Sequence, residues 1–205
     1  MPTPAIAVFC SGHGTNLQAI IGAIRRRRLR ARIAVVICDY PGAYAIVRAQ
    51  AAGIPTVVID PRRFPSRESF DRALSRILKR AGATWIVLAG FMRILSRGFI
   101  HRYRHRVLNI HPALLPAFPG CHGVRDALRH GVKVTGVTVH FVDEQVDHGP
   151  IIFQEPVRIL ERDTEETLLN RVHRLEHRLY PQAIQAAVSG RIKIVGRKVI
   201  LRADA

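Results

Sequence analysis

Cysteine, lysine, acidic residues and long apolar runs are all scarce in these 205 residues, and each scarcity excludes something. The three cysteines, Cys10, Cys38 and Cys121, are odd in number and show neither metal-ligand nor redox spacing. That argues against a disulfide framework or a thiolate metal site and fits a reducing compartment, the cytoplasm. No apolar run approaches the ~20 residues that cross a bilayer. The longest, such as 33–38 and 85–90, have the length of strands. Residues 1–24 carry no basic segment before the first apolar run and no small-residue cleavage site after it, so no secretory leader is expected. Ser, Gln and Glu are sparse, and 48% of the residues are hydrophobic against 23% charged, the composition of a folded chain. At this length one domain over 1–205 is expected.

Negative charge is the deepest deficit: 15 acidic residues face 32 basic ones, a formal net charge of +17. Only four of the basic residues are Lys, at positions 79, 133, 193 and 198. A chain this basic invites a nucleic-acid reading, because phosphate neutralisation dominates such binding. The distribution points elsewhere. Apart from the runs 25–30 and 101–106, the arginines fall mostly singly on polar faces of helical patterns, and no helix-turn-helix, finger or RNP-like signature accompanies them. The excess reads as a solvated surface able to steer small anions.

What is present is alternation. Residues 5–10, 33–38, 56–59, 85–89 and 107–110 are short, apolar and free of charge, as strands buried on both faces are. Between them lie helical periods at 16–27, 43–52 and 66–81, the last two closed by Gly53 and Gly82. Strand and helix alternating through short loops give parallel βαβ units. The fold expected is therefore α/β, a three-layer, open, mostly parallel twisted sheet of Rossmann-like type. Residues 134–142 and 150–157 are too close for a parallel crossover, which predicts an antiparallel addition towards the C-terminus. A long helix is expected from Asp163, with Asp163 and Glu166 as a capping box, broken or kinked at Pro181 and ended at Gly190; a small hairpin turns at Gly196-Arg197.

Three stretches carry chemistry. In S-G-H-G-T-N-L-Q (11–18), Gly12 and Gly14 sit between a strand and a helix, where backbone N–H groups and the helix dipole favour an anion. The third glycine of a dinucleotide fingerprint and the G-K-[ST] of a P-loop are missing, so a small monophosphate or a tight turn without ligand are the readings left. In N-I-H-P-A-L-L-P-A-F-P-G (109–120), Asn109 and His111 stand at i and i+2 and so project to one side of a strand end. Pro112, Pro116 and Pro119 stiffen the loop that follows. A carboxamide beside an imidazole can stabilise an oxyanion and relay a proton. In D-H-G-P (147–150), Asp147 is either a turn residue or a carboxylate that raises the pKa of His111.

These pieces occur together, in this order, with S-R-E (66–68), L-A-G-F-M-R-I-L (88–95), T-V-H-F-V (138–142) and E-H-x-x-Y-P (176–181). The set resembles the folate-dependent phosphoribosylglycinamide formyltransferases of purine biosynthesis. The resemblance implies the formyltransferase variant of the Rossmann-like fold. It also implies transfer of a formyl group from 10-formyltetrahydrofolate, as co-substrate, to the amine of glycinamide ribonucleotide. By the same resemblance Asn109, His111 and Asp147 are catalytic: His111 donates a proton and stabilises the oxyanion, Asp147 keeps it protonated, and Asn109 bonds the formyl oxygen. Gly14, Thr15 and Asn16 cradle the ribotide phosphate and Glu176 holds the ribose hydroxyls. Arg67, Met92, Arg93, Ile94 and Leu95 line the folate site together with Asn109 and backbone at 144–147. The resemblance implies no metal; run length and charge distribution argue against a membrane or nucleic-acid partner. His13 and His148 add titratable groups beside the motifs, and His122 and His140 stay outside the catalytic set. Methionyl-tRNA formyltransferase and formyltetrahydrofolate hydrolase share the N-x-H-P loop and downstream Asp. Both are expected to need a further domain and differ in the first loop. The rival from another class is a basic nucleic-acid-binding module on this fold.

Overall fold

The computed structural model describes residues 2–202. Seven strands form one sheet in the order β3-β2-β1-β4-β5-β6-β7. Strands β1 (Ala5–Cys10), β2 (Arg32–Cys38), β3 (Thr56–Val58), β4 (Trp85–Leu88) and β5 (Val107–His111) are mutually parallel. Alternation along β1 explains the layering: Ile6, Val8 and Cys10 face one core, Ala7 and Phe9 the other. The first core is covered by α1 (Thr15–Arg25), α2 (Tyr44–Ala51), α5 (Gly123–His130) and α6 (Glu165–Val188), the second by α3 (Arg67–Ala81) and α4 (Arg97–Arg102). The chain winds outward from β1 to β3, then α3 carries it back to β4 on the other side of β1. That reversal makes the carboxyl ends of β1 and β4 the switch point at which open α/β sheets bind ligands.

The antiparallel addition is present. Strand β6 (Val134–Phe141) runs antiparallel to β5, and β7 (Ile151–Arg158) antiparallel to β6. Strands β8 (Ile192–Val195) and β9 (Lys198–Leu201) form a separate hairpin. The helices α4 and α5 and a 3-10 turn at Pro61–Arg63 were not expected from the sequence; α4 and the 3-10 turn are too brief for a full apolar period.

Two expectations are corrected in α6. Its capping box is Thr164 with Thr167; the Asp163 carboxylate accepts instead from the Leu160 amide and the Thr167 hydroxyl. The helix also runs unbroken through Pro181. Proline removes the donor for the His177 carbonyl, at a cost of ~3 kcal/mol in a helix interior. Here that cost is offset by burial on both sides of the ring: Leu179, Tyr180, Ala183 and Ile184 are all enclosed, and the Tyr180 hydroxyl reaches the Leu88 and Leu108 carbonyls at 2.9 and 3.0 Å. Among the described residues no helix is long and apolar enough to cross a membrane.

Candidate active site

At the end of β1 the chain turns through Gly14, whose φ of 70° is the left-handed conformation open to glycine. A Cβ there would stand 2.7 Å from Ala45 Cβ and 2.8 Å from Ala45 Cα, so the loop lies flush on α2. Gly14 caps α1 without a side-chain hydrogen bond, which leaves the first-turn amides of Thr15, Asn16 and Leu17 without helical acceptors. Gln18 N–H donates to the Gly14 carbonyl at 2.9 Å, Ala45 N–H to Gly12 at 3.1 Å, and Ser11 N–H to Gly90 at 3.0 Å. The loop is thus tied to the segment after β4 and to α2, while three first-turn amides of α1 keep no helical acceptor. The Asn16 side chain is committed elsewhere: its Nδ2 donates to Glu176 Oε2 at 2.9 Å. Only its backbone N–H is therefore open to an anion, and the buried Asn16 Oδ1 has no partner. Glu176 is 4% exposed, and burial pushes its carboxyl up to about 7 despite the Asn16 hydrogen bond. His173 and His177 stack beside it at 6.1 Å, both held below their ordinary pKa by burial.

The second cluster is a product of strand register. Across the β5-β6 ladder Asn109 pairs with His140 and His111 with Thr138, so the i and i+2 side chains of both strands share one face. Asp147 reaches them from the loop after β6. Its Oδ1 accepts from Asn109 Nδ2 at 3.2 Å, its Oδ2 accepts from the Gly120 amide at 2.8 Å, and His111 Nδ1 lies 3.3 Å from Oδ2. The reading of Asp147 as an ordinary turn residue thus gives way to a carboxylate on which the cluster converges. Its φ of 51° is unusual for a residue with a side chain. Gly149 passes so close to the Phe141 carbonyl that any Cβ would overlap it, which fixes the backbone two residues on. His140 Nδ1 faces the Phe141 carbonyl at 2.8 Å and so carries the ring hydrogen, leaving Nε2 to accept from Asn109 Nδ2 at 3.3 Å. Both Asn109 N–H groups are thereby used within the protein, and the group it has free is its carbonyl oxygen.

His111 is 3% exposed, with Nε2 2.8 Å from the Phe118 carbonyl. A carbonyl only accepts, so Nε2 carries a hydrogen, and in the neutral ring a bare Nδ1 confronts the Asp147 carboxylate. Burial lowers the His111 pKa; Asp147 and the Phe118 carbonyl oppose this without reversing it. The acid expected beside His111 is in place, and desolvation works against the charge it favours on the ring. For Asp147 itself burial raises the pKa, but the His140 ring once it carries a proton on Nε2, the Gly120 amide and a charged His111 together hold it below the usual carboxylate range. The arrangement is a proton acceptor whose charged form already has two acceptors facing it.

The loop 112–120 is stapled from beneath. Thr138 Oγ1 donates to the Ala113 carbonyl at 2.7 Å and accepts from the Leu115 amide at 3.0 Å, while Gln154 Nε2 donates to the Leu115 carbonyl at 2.7 Å. His140, left outside the catalytic set in the sequence, touches the cluster, and Thr138 and Gln154 were given no role there. The i, i+2 spacing of Thr138 and His140 mirrors that of Asn109 and His111 and could have signalled the pairing.

The residues expected to line a folate site divide. Met92 and Ile94 are 63% and 59% exposed on the loop after β4, and the Met92 amide donates to Ser11 Oγ at 2.9 Å, tying that loop to the end of β1. Leu95 is buried in the second core instead. Arg93 Nε binds Asp39 Oδ2 at 2.7 Å. Arg67 is exposed at the start of α3. Among the described residues no hydrogen bond or ion pair joins Arg67, Met92, Arg93, Ile94 or Leu95 to the Asn109 cluster. Among the described residues no group of three or more His, Cys, Asp and Glu side chains is placed to hold a metal ion.

The family model of the formyl transferases matches residues 5–184, leaving the β8-β9 hairpin beyond it. The chain is 43% identical over 179 residues to a phosphoribosylglycinamide formyltransferase of Bacillus subtilis, covering 87% of this chain and 92% of that protein. It is 48% identical over 196 residues to a trifunctional purine biosynthetic protein adenosine-3 of Drosophila pseudoobscura pseudoobscura, covering 95% of this chain. The chain spans only 14% of that relative's length. Among solved structures, that of glycinamide ribonucleotide transformylase 1 from Symbiobacterium toebii superposes with a TM-score of 0.96 at 48% identity, over 98% of this chain and 95% of that one.

Proposed function

The chain belongs to the formyl transferase family, and from that premise we propose that it transfers the formyl group of 10-formyltetrahydrofolate to the amine of N1-(5-phosphoribosyl)glycinamide, a step of de novo purine biosynthesis. The observation that carries the chemistry is the convergence of one carboxylate, Asp147, on Asn109 and His111 near the switch point of the sheet. The open amides of Thr15, Asn16 and Leu17 suit the ribotide phosphate, and the buried Glu176 carboxyl suits ribose hydroxyls. The exposed Met92 and Ile94, with Arg93 between them and Arg67 exposed at the start of α3, suit the ring and the carboxylates of a folate. A single formyltransferase domain in the cytoplasm is part of the same reading.

Attack of the amine on the formyl carbon forms a C–N bond and puts negative charge on the formyl oxygen. The amine must then shed a proton, and the leaving folate nitrogen must gain one as its C–N bond breaks. Neutral His111 is suited to accept the first proton and deliver the second. Its charged form, unfavourable in a buried ring alone, is stabilised while it lasts by Asp147 and the Phe118 carbonyl. Substrate reaching His111 takes the place of the Phe118 carbonyl at Nε2, and the ring accepts a proton there once its own hydrogen sits on Nδ1, hydrogen-bonded to the Asp147 carboxylate. Asn109 faces the substrate with its carbonyl, an acceptor for the attacking amine; oxyanion donation requires its amide to turn over.

The test is to mix the protein with both substrates and follow release of free tetrahydrofolate. Release that needs the ribotide supports transfer, whereas release without it marks a hydrolase. The acid limb of kcat/KM should fall below pH 6.5, the ordinary histidine value, because His111 loses its accepting form only below its lowered pKa. An acid limb above that value contradicts the role given to His111.

A further inference from the structure

The hairpin β8-β9 carries one side chain into the loop that presents Asp147. Arg197, beside the hairpin turn, donates from Nη2 to the His148 carbonyl at 2.6 Å. Its Nη1 lies 3.0 and 3.2 Å from the two ring nitrogens of the same histidine, so the guanidinium spans His148 from backbone to ring. His148 is held from the other side by Asp143 Oδ2, 2.7 Å from Nδ1, and Asp143 Oδ1 in turn accepts from the Gln145 amide at 3.0 Å. Across the loop, Glu144 is paired with Arg97 of α4 at 2.7 Å. The span from Asp143 to His148 is therefore clamped between α4 and the hairpin, with Asp147 between the two clamps.

That clamp bears on a strained residue. Asp147 sits at a φ of 51°, a conformation that for a non-glycine residue persists only where its surroundings impose it. Gly149 fixes the downstream side by its closeness to the Phe141 carbonyl. The peptide in between ends in the His148 carbonyl, and the hydrogen bond on that carbonyl comes from Arg197. We propose that Arg197 is a positioning residue for the transfer: by holding His148 it fixes the backbone from which the Asp147 carboxylate reaches Asn109, Gly120 and His111. Arg197 touches none of those groups, so its effect passes through Asp147. The inference rests on the role proposed above for that aspartate. A carboxylate displaced by about 1 Å loses its fit to three partners at once, and misplacements of that size cost up to ~10²-fold in rate.

The experiment is a double-mutant cycle read in steady-state tetrahydrofolate release, with R197A, D147N, the pair together, R197K, and K198A as a hairpin control. R197A is expected to lower kcat by ~10-fold with the ribotide KM within about twofold, since the anion loop is untouched. R197K, which retains a donor for the carbonyl, should recover part of that loss, and K198A should keep wild-type kcat. In the D147N background R197A should cost less than about twofold more, because the residue it positions has already lost its charge. If R197A does not fold, R197K takes its place in the cycle, with an expected loss of about threefold that likewise disappears beside D147N. The proposal is overturned by an R197A kcat within about twofold of wild type, by losses that multiply in the double variant, or by a K198A loss equal to that of R197A. D147N with wild-type turnover would instead remove the role proposed for Asp147, a result distinct from any failure of Arg197.

Discussion

The loop after β1 and the cluster on β5 and β6 lie at the same end of one sheet, yet they are built on opposite plans. The first leaves hydrogen-bond donors open: three amides of α1 have no helical acceptor, because Gly14 caps without a side chain. The second closes nearly everything it has. Both N–H groups of Asn109, both oxygens of Asp147 and both nitrogens of His111 face protein atoms. An open array of backbone amides suits an anion whose charge does not change, whereas a closed network suits a proton that must move, since each position of that proton finds a partner already oriented.

The sharpest way to break this contrast is to remove the moving proton's carrier. His111→Ala should lower kcat by ~10² to 10⁴ while ribotide binding, measured by titration, stays within about threefold. Equal damage to both would mean that the two regions are not separable. Glu176 gives the next largest effect, in stability. Its folded pKa of about 7 lies above its ordinary 4.5, so the stability tied to its protonated form is complete below pH 4.5 and is lost as pH rises through 7. Glu176→Gln should therefore melt higher than wild type at pH 8, by at most ~3 kcal/mol, with the gap closing towards pH 5. Thermal melts at both values decide this, and a gap independent of pH contradicts it.

Gly14→Ala should cost ~1–3 kcal/mol from the left-handed φ and raise the ribotide KM more than it lowers kcat, because the new Cβ displaces the loop from Ala45. Thr138→Val mirrors it on the other side of the contrast. Loss of the hydroxyl leaves the buried Leu115 amide without its acceptor, at ~1–3 kcal/mol, and should lower kcat with the ribotide KM unchanged. A KM effect in the second variant, or a pure kcat effect in the first, would reverse the assignment of plans to regions.

The architecture was legible because buried strands leave an uninterrupted apolar run and helices a period; residues 5–10 were bounded to the residue as β1. Glycine signals at Gly14 and Gly82 were likewise local, since each marks a left-handed backbone. The closed cluster was legible only in part. Asn109 and His111 announce themselves by alternation, but that they meet His140 and Thr138 depends on the register of β6 against β5, which is a property of the pair of strands. The burial of His111 was illegible for a related reason: the spacing hints at an acid nearby, but not at how deeply the ring is enclosed. Pro181 is the converse case, a local signal for a break that the packing around Tyr180 overrides.

The most direct measurement is formyl transfer by Asp147→Asn, an exchange that keeps the shape of the side chain and removes the charge facing His111. The predicted result is a folded protein that binds the ribotide within about twofold of wild type and turns over ~10²-fold or more slowly. Turnover close to wild type, or a loss explained entirely by weaker ribotide binding, would contradict the proton-carrying role given to this network.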